Sequence, residues 1–264
     1  MQIVIHAGFH KTGTTSVQAM LRENADRLSP HLRVLLKDGF STLTSKARSF
    51  SIAPNEKTLA HVAKASTAFF ADLDPTDQRP VLMSSEDLSG HMPGRHGLEC
   101  YDSAGLVMKS IADAAFARFG DGLDLTFYFS TRNRDAWLRS TWWQNLRSTR
   151  LDRDFASYTA QFADARSLAE ILIEIEQDVA PAKVVSHALE ASKTLPLGPL
   201  TPLLDLLTLP RLDRSLLTVL PPENVQPDIG IDQVFLALNR SCLPDKDVQS
   251  AKRSIRKMAA RATG

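Results

Sequence analysis

The chain has 264 residues, 43% of them hydrophobic, which is enough to bury a sizeable core as one domain with decorations. Its 31 Lys+Arg against 30 Asp+Glu leave a formal net charge of +1, which excludes the global basic field that grips nucleic acid or an anionic membrane, so any anion site must be local. Cys100 and Cys242 stand far apart without CxxC spacing, no apolar run approaches the roughly 20 residues of a membrane span, and the chain enters its first apolar run without a basic leader. These features predict a cytoplasmic protein with no membrane span and no structural zinc.

The run Met1–Ile5 is short, apolar and β-branched, and Val17, Met20 and Leu21 recur at helical spacing behind it. Between them, His6-Ala-Gly-Phe-His-Lys-Thr-Gly-Thr-Thr-Ser16 reads as a glycine-containing turn from a buried strand into a helix. The first turn of a helix leaves backbone N–H groups unpaired at the positive end of the dipole, so an anion, above all a phosphate, is its natural partner. Gly8 and Gly13 allow close backbone approach, and Thr12, Thr14, Thr15 and Ser16 add hydroxyls. The first helix runs to about Arg27. His31–Leu36 is a second strand candidate, and polar Lys37–Asn55, with Gly39 and Pro54, reads as a loop, an exposed connection first and part of an acceptor-site rim only as the second reading. Glu56–Asp72 is an amphipathic helix with Leu59, Val62, Ala63, Phe69 and Phe70 on its apolar side.

Pro80 introduces a third strand, Val81–Ser85, ending in Glu86-Asp87. In open α/β sheets ligands bind beyond the carboxyl ends of the strands, which places Glu86 at the chemical rim. Ser89–Asp102 reads as an irregular loop over the same rim, with His91 and His96, and Ala104–Phe119 as a helix closed by Gly120. Leu123–Thr131 is the strongest strand pattern. Arg132 stands at its end, Ser140 follows eight residues later on a helix, and Trp137, Trp142 and Trp143 read as packing residues. Helices are expected around Phe155–Phe162 and over Arg166–Asp178, then a last strand at Lys183–His187. The proline-punctuated stretch Pro196–Pro222 reads as short helices and turns. Two helices finish the chain, Ile231–Leu238 and Asp245–Ala262, the second with a basic face (Lys252, Arg253, Arg256, Lys257, Arg261) read first as solvated, an arginine that contacts a bound phosphate being the second reading. Alternating strands and helices imply an α/β fold with a mostly parallel central sheet between helical layers. The expected organisation is a single domain, with a nucleotide-binding core over about 1–190 and a C-terminal helical extension over about 195–264.

The spacing Gly8-x4-Gly13 is that of an ATP-type phosphate loop, but lysine should then follow the second glycine, and Thr14 stands there. Lys11-Thr-Gly-Thr-Thr-Ser16 directly after the first strand instead resembles the 5′-phosphosulfate loop of sulfotransferases that use 3′-phosphoadenosine 5′-phosphosulfate (PAPS). Arg132-Asn-x6-Ser140 after a later strand is similar to the segment by which that family holds the 3′-phosphate, a role suited to the planar fork of arginine. His187-Ala-Leu-Glu190 falls where many members have a Tyr-Glu-Asp-Leu-like turn. The resemblance covers the order of elements over most of residues 1–210, and its specific part is confined to the two short segments. It implies a P-loop-like nucleotide-binding fold, and binding of PAPS and its product PAP through Lys11, Thr12, Gly13, Thr14, Thr15, Ser16, Arg132 and Ser140. It also implies sulfuryl transfer to a hydroxyl or amine of a small-molecule or carbohydrate acceptor.

Lys11 is the expected stabiliser of charge on the leaving phosphate oxygen. Because a sulfuryl group carries less charge than a γ-phosphoryl, no metal is expected. The family uses a histidine or a glutamate as base; Glu86 is the first choice, His10 the second, and His91 and His96 come third. Ser16 replaces the tryptophan that stacks on adenine in many animal cytosolic members, so the chain looks closer to the carbohydrate-type and bacterial branches. Two alternatives stand beside this reading: a P-loop small-molecule kinase using ATP and magnesium, and a non-catalytic PAP-binding protein.

Overall fold

The computed structural model describes residues 1–221 and 230–262. In chain order the elements are β1 (Gln2–His6), α1 (Thr14–Glu23), α2 (Ala25–Leu28), β2 (Arg33–Leu36), α3 (Ser41–Ile52), α4 (Glu56–Ala71), β3 (Val81–Ser84), α5 (Ala104–Phe119), β4 (Asp124–Thr131), α6 (Arg134–Ser148), α7 (Phe155–Gln161), α8 (Leu168–Asp178), β5 (Lys183–Ala188), α9 (Leu189–Ser192), α10 (Thr201–Asp205), α11 (Ile231–Arg240) and α12 (Asp245–Ala262). Short 3₁₀ turns follow β2 (Lys37–Phe40) and β3 (Glu86–Ser89).

The five strands form one sheet in the order β2-β3-β1-β4-β5, parallel throughout, with helices on both faces. The expected three-layer α/β/α architecture is therefore the observed one. Ile3 lies beside Val81 on one side and Leu125 on the other. β1 and β3 are apolar runs because both their faces are covered, as parallel sheets require, whereas the edge strands β2 and β5 are only partly buried. On one face Val4, Leu82 and Tyr128 pack against Val17, Met20 and Leu21 of α1 and Leu203 and Leu204 of α10. The helices α4, α5 and α8 pack side by side.

The chain divides into two compact units, and the division does not follow sequence order. Met1–Asn133 with Arg166–Pro221 carries the sheet, and Arg134–Ala165 groups with the described part of Pro222–Gly264. The second unit is helical. Trp143 stacks on Phe235 with ring centroids 5.5 Å apart, Trp142 meets Phe155 edge-on at 5.6 Å, and Trp137 is buried, so the three tryptophans are packing residues.

Two local expectations need correction. Lys37–Asn55 is not a loop: it holds α3, whose Leu43, Thr44, Ala47, Phe50 and Ser51 are buried at helical spacing. The many serines and threonines, weak helix formers that favour caps and turns, hide that period in the sequence. Lys252 does not lie on a solvated face. It is 1% exposed, and its Nζ donates at 2.7 Å to the carbonyls of Leu146 and Thr149, acceptors that the end of α6 leaves unpaired. Pro222, the end of the proline-punctuated stretch, lies outside the described residues.

Candidate functional site

From β1 the chain crosses to β2 on one side of the sheet, and from β4 it crosses to β5 on the other. Neighbouring strands that send the chain in opposite directions open a crevice outside their carboxyl ends, the usual ligand position in such sheets. The loop carrying Lys11 leaves β1 there, and Arg132 leaves β4.

Side chains from three remote segments fix that loop. Ser89 Oγ donates to the carbonyls of Ala7 (3.2 Å) and Gly8 (2.8 Å). The His10 amide donates to Tyr101 Oη at 3.0 Å, and Tyr101 packs on Phe9 with ring centroids 4.8 Å apart. Arg132 Nη1 donates to the Lys11 carbonyl at 3.1 Å. Thr12, fully buried, donates its hydroxyl to the Phe9 carbonyl at 2.6 Å, so Ser130 Oγ, 2.8 Å away, must be the donor of the bond they share. That direction leaves Ser130 as acceptor for His6 Nε2 (3.4 Å), and His6 Nδ1 then accepts from Ser84 Oγ at 3.0 Å. One run of hydroxyls and an imidazole thus joins the ends of β3, β1 and β4 to the loop. Complete burial lowers the His6 pKa to about 3, which keeps the ring neutral as this run needs.

The backbone of the loop adopts positive φ at Gly8, Lys11 and Gly13. Lys11 has φ 69°, a left-handed conformation that costs a non-glycine residue about 1–2 kcal/mol. Gly13 has φ 102° and a methyl there would sit 2.7 Å from Leu189 Cδ1, so only glycine fits. Gly13 is the N-cap of α1; its carbonyl accepts from the amides of Ser16 and Val17, no side chain caps the helix, and its first turn carries no acid. The amides of Thr14 and Thr15 have no intrahelical acceptor by geometry. Thr14, 3% exposed, keeps a buried hydroxyl that has no hydrogen-bond partner among the described residues at this helix start. Thr15 is exposed and Ser16 half-buried.

Arg132 is half-buried, and burial pulls its pKa down while Glu190 pushes back; a guanidinium remains charged in any case. Its bond to Lys11 uses one of five N–H donors. Glu190 accepts from the Asn133 amide at 3.2 Å, so the turn after β5 braces the turn after β4. Ser140 lies half-buried on α6, in the second unit.

The carboxyl pair after β3 divides its tasks. Glu86, half-buried, accepts from Gln18 Nε2 of α1 at 3.3 Å. Asp87 is 8% exposed and gathers three basic side chains: His10 Nε2 at 3.4 Å, Lys37 Nζ in direct contact, and Arg48 Nε at 3.9 Å. Burial alone would raise the Asp87 pKa, but the hydrogen bonds from His10 and Lys37 outweigh it and hold the carboxyl well below the usual carboxylate range. The other ring nitrogen of His10 lies 3.2 Å from Tyr101 Oη, so both its nitrogens have protein partners. His91 borders an open cavity of about 310 Å³ with Lys37 and Arg48, and burial, assisted by Arg48 and His96, lowers its pKa to about 4. The His91 and His96 rings are 4.6 Å apart.

Lys11, Thr12, Gly13, Thr14 and Arg132 therefore come together at the crevice, but Thr12 turns its hydroxyl into the protein and serves the loop rather than its opening. Asp87, Lys37, Arg48, Tyr101, Ser84 and Ser130 were not among the expected site residues. Only Asp87 carries a sequence signal, its place beside Glu86 at a strand end. Among the described residues, no group of three or more His, Cys, Asp or Glu side chains is arranged to hold a metal ion. No helix among them is long and apolar enough to cross a membrane. No family model, curated protein or solved structure matches the chain.

Proposed function

We propose that the protein is a sulfotransferase that moves a sulfuryl group from PAPS to a hydroxyl or amine of a small-molecule or carbohydrate acceptor. The observation that carries this reading is the bond from Arg132 to the Lys11 carbonyl, which joins the two segments resembling the donor-binding motifs at the crevice between β1 and β4. The open start of α1 and the orphaned Thr14 hydroxyl fit a phosphate or phosphosulfate. The remaining donors of Arg132 suit the 3′-phosphate, which a planar fork binds with two parallel bonds.

In the proposed reaction, an acceptor oxygen or nitrogen forms its bond to sulfur as the bond from sulfur to the 5′-phosphate oxygen breaks. The electron pair leaves with PAP, and Lys11 neutralises the charge that grows on that oxygen; a preorganised charge of this kind is worth roughly 3 kcal/mol, about a hundredfold in rate. Glu86 takes the proton lost by the acceptor. It stands at the end of a central strand, half-buried and positioned by Gln18. His10, with Asp87 and Tyr101 on its two nitrogens, is better placed to hold the loop than to accept that proton.

The direct test is incubation with sulfate-labelled PAPS and a panel of hydroxylated acceptors in the presence of a metal chelator. Acceptor-dependent appearance of PAP and labelled product is expected. Phosphate transfer from ATP that requires magnesium, with no turnover of PAPS, overturns the reading in favour of a kinase; PAP binding without turnover of any acceptor reduces it to a nucleotide-binding protein.

A further inference from the structure

The cavity of about 310 Å³ beside Asp87 is not part of the phosphate loop. Its walls are Lys37 at the end of β2, one side of α3 with Ser41, Ser45, Arg48 and Ser49, and His91 from the loop after β3. Ser41, Ser45 and Ser49 recur every four residues and form one stripe of hydroxyls. The wall that carries His91 is held in place, because the His91 amide donates to Ser51 Oγ at 2.9 Å. Gly90 (φ 96°) lies so close to Ser51 that a methyl there would sit 2.6 Å from its Cβ. These contacts tie the His91 wall of the cavity to α3.

Its charge is specific. Lys37 and Arg48 face one carboxylate, Asp87, which leaves one unit of positive charge unmatched among these groups. Arg48 Nε is buried and makes no hydrogen bond among the described residues, since 3.9 Å to Asp87 is too long for one. His91 is uncharged near neutral pH and offers hydrogen bonding without charge. The volume is at the lower end of the roughly 300–1,000 Å³ of ligand pockets, room for a single sugar-sized group. Asp87 touches this cavity's cations on one side and His10, the neighbour of Lys11, on the other, so the cavity adjoins the loop.

We propose that this cavity binds the acceptor, and that the acceptor is a polyhydroxylated anion the size of one sugar: a sugar acid or sugar phosphate. Its oxyanion lies on Arg48 and Lys37 and its hydroxyls lie against the serine stripe. The assignment as acceptor site rests on the sulfotransferase reading above; the class of ligand does not. One hydroxyl of the bound molecule would form the new bond to sulfur, with PAP leaving on the electron pair and the hydroxyl proton passing to Glu86.

The test is calorimetric titration of the full chain with glucuronate, glucose 6-phosphate, glucose and inorganic phosphate, with PAP titrated into the same samples. Glucuronate or glucose 6-phosphate, whichever source of the oxyanion is used, is expected to bind at least about tenfold more tightly than glucose and than phosphate. Arg48→Gln is expected to weaken it by about tenfold or more while PAP binding stays as in the wild type, which also reports that the variant is folded. Ser45→Leu, on the exposed side of α3, fills the cavity without touching the core and is expected to abolish sugar-anion binding. Equal binding of glucose and both anions, binding of phosphate as tight as either, or no effect of both variants overturns the proposal. PAP binding without either sugar anion removes the cavity assignment alone. Sugar-anion binding without any PAP binding upholds the ligand class and removes the acceptor role together with the sulfotransferase reading.

Discussion

Arg132 reaches across 121 positions of sequence to donate a hydrogen bond from Nη1 to the Lys11 carbonyl at 3.1 Å. The residue it holds has a left-handed backbone, φ 69°, in a loop whose Ala7, Gly8 and Phe9 carbonyls are held by Ser89 and Thr12. The same guanidinium thus braces the turn after β4 against the loop that leaves β1.

If Arg132 holds the 3′-phosphate with its planar fork, Arg132→Lys is expected to recover little. Arg132→Ala should weaken PAP binding by roughly 1.5–3 kcal/mol, the worth of a charge-assisted hydrogen bond, and Arg132→Lys by only slightly less. Calorimetry on the three proteins checks this; a lysine variant as tight as wild type would show that charge alone is read.

Lys11 is expected to act on the rate. Lys11→Met should lower kcat for sulfuryl transfer by about a hundredfold or more, with a smaller effect on KM for PAPS. Steady-state kinetics separate the two; a loss confined to KM would make Lys11 a binding residue only.

Thr12 is buried and donates inward, so its contribution is to the loop and not to a ligand. Thr12→Val keeps the shape but removes the donor to the Phe9 carbonyl and the acceptor for Ser130, and is expected to cost about 1–3 kcal/mol of stability for the groups left unpaired. Denaturant unfolding of the variant measures it; an unchanged midpoint would mean that the loop is held without this bond.

His6 gives the stability a pH dependence whose sign follows from its burial. The folded ring titrates at about 3 and the unfolded one at 6.5, so below 6.5 the unfolded chain binds the extra proton. Stability from this site is complete above pH 6.5 and falls as the pH drops toward 3, by roughly 1.4 kcal/mol per pH unit. His91, lowered to about 4, acts in the same direction, so the informative comparison is with His6→Asn. Between neutral pH and about pH 5 the wild type should lose roughly 2 kcal/mol more than the variant in urea unfolding. Parallel losses in the two proteins would assign the acid sensitivity elsewhere.

The strand ends were legible because a parallel sheet writes its buried strands as continuous apolar runs: Val81–Ser84 and Asp124–Thr131 fall within a residue of their expected limits. Arg132 was legible for the same reason, since it stands where the second of those runs stops, and Gly13 because the helical period of α1 begins behind it. The cavity was not. α3 hides its apolar period, Leu43, Ala47 and Phe50, among serines and threonines, and reads as a loop. The choice between Glu86 and Asp87 was beyond a local reading too. What distinguishes them is that Gln18 meets one, while His10, Lys37 and Arg48 meet the other. Those partners are brought by the sheet order β2-β3-β1 and not by any spacing along the chain. Lys252 illustrates the limit for charge: its place in a basic helix says surface, and only the unpaired carbonyls of α6 explain its burial.

The most direct measurement is the affinity of the wild-type chain for PAP against adenosine 5′-phosphate, titrated calorimetrically without magnesium. If one doubly phosphorylated adenosine is held by the Lys11 loop and by Arg132, PAP binds at least about tenfold more tightly, the 3′-phosphate contributing roughly 1.5 kcal/mol or more through charge-assisted bonds. Equal affinities for the two nucleotides would contradict the 3′-phosphate site, and with it the identity of the donor.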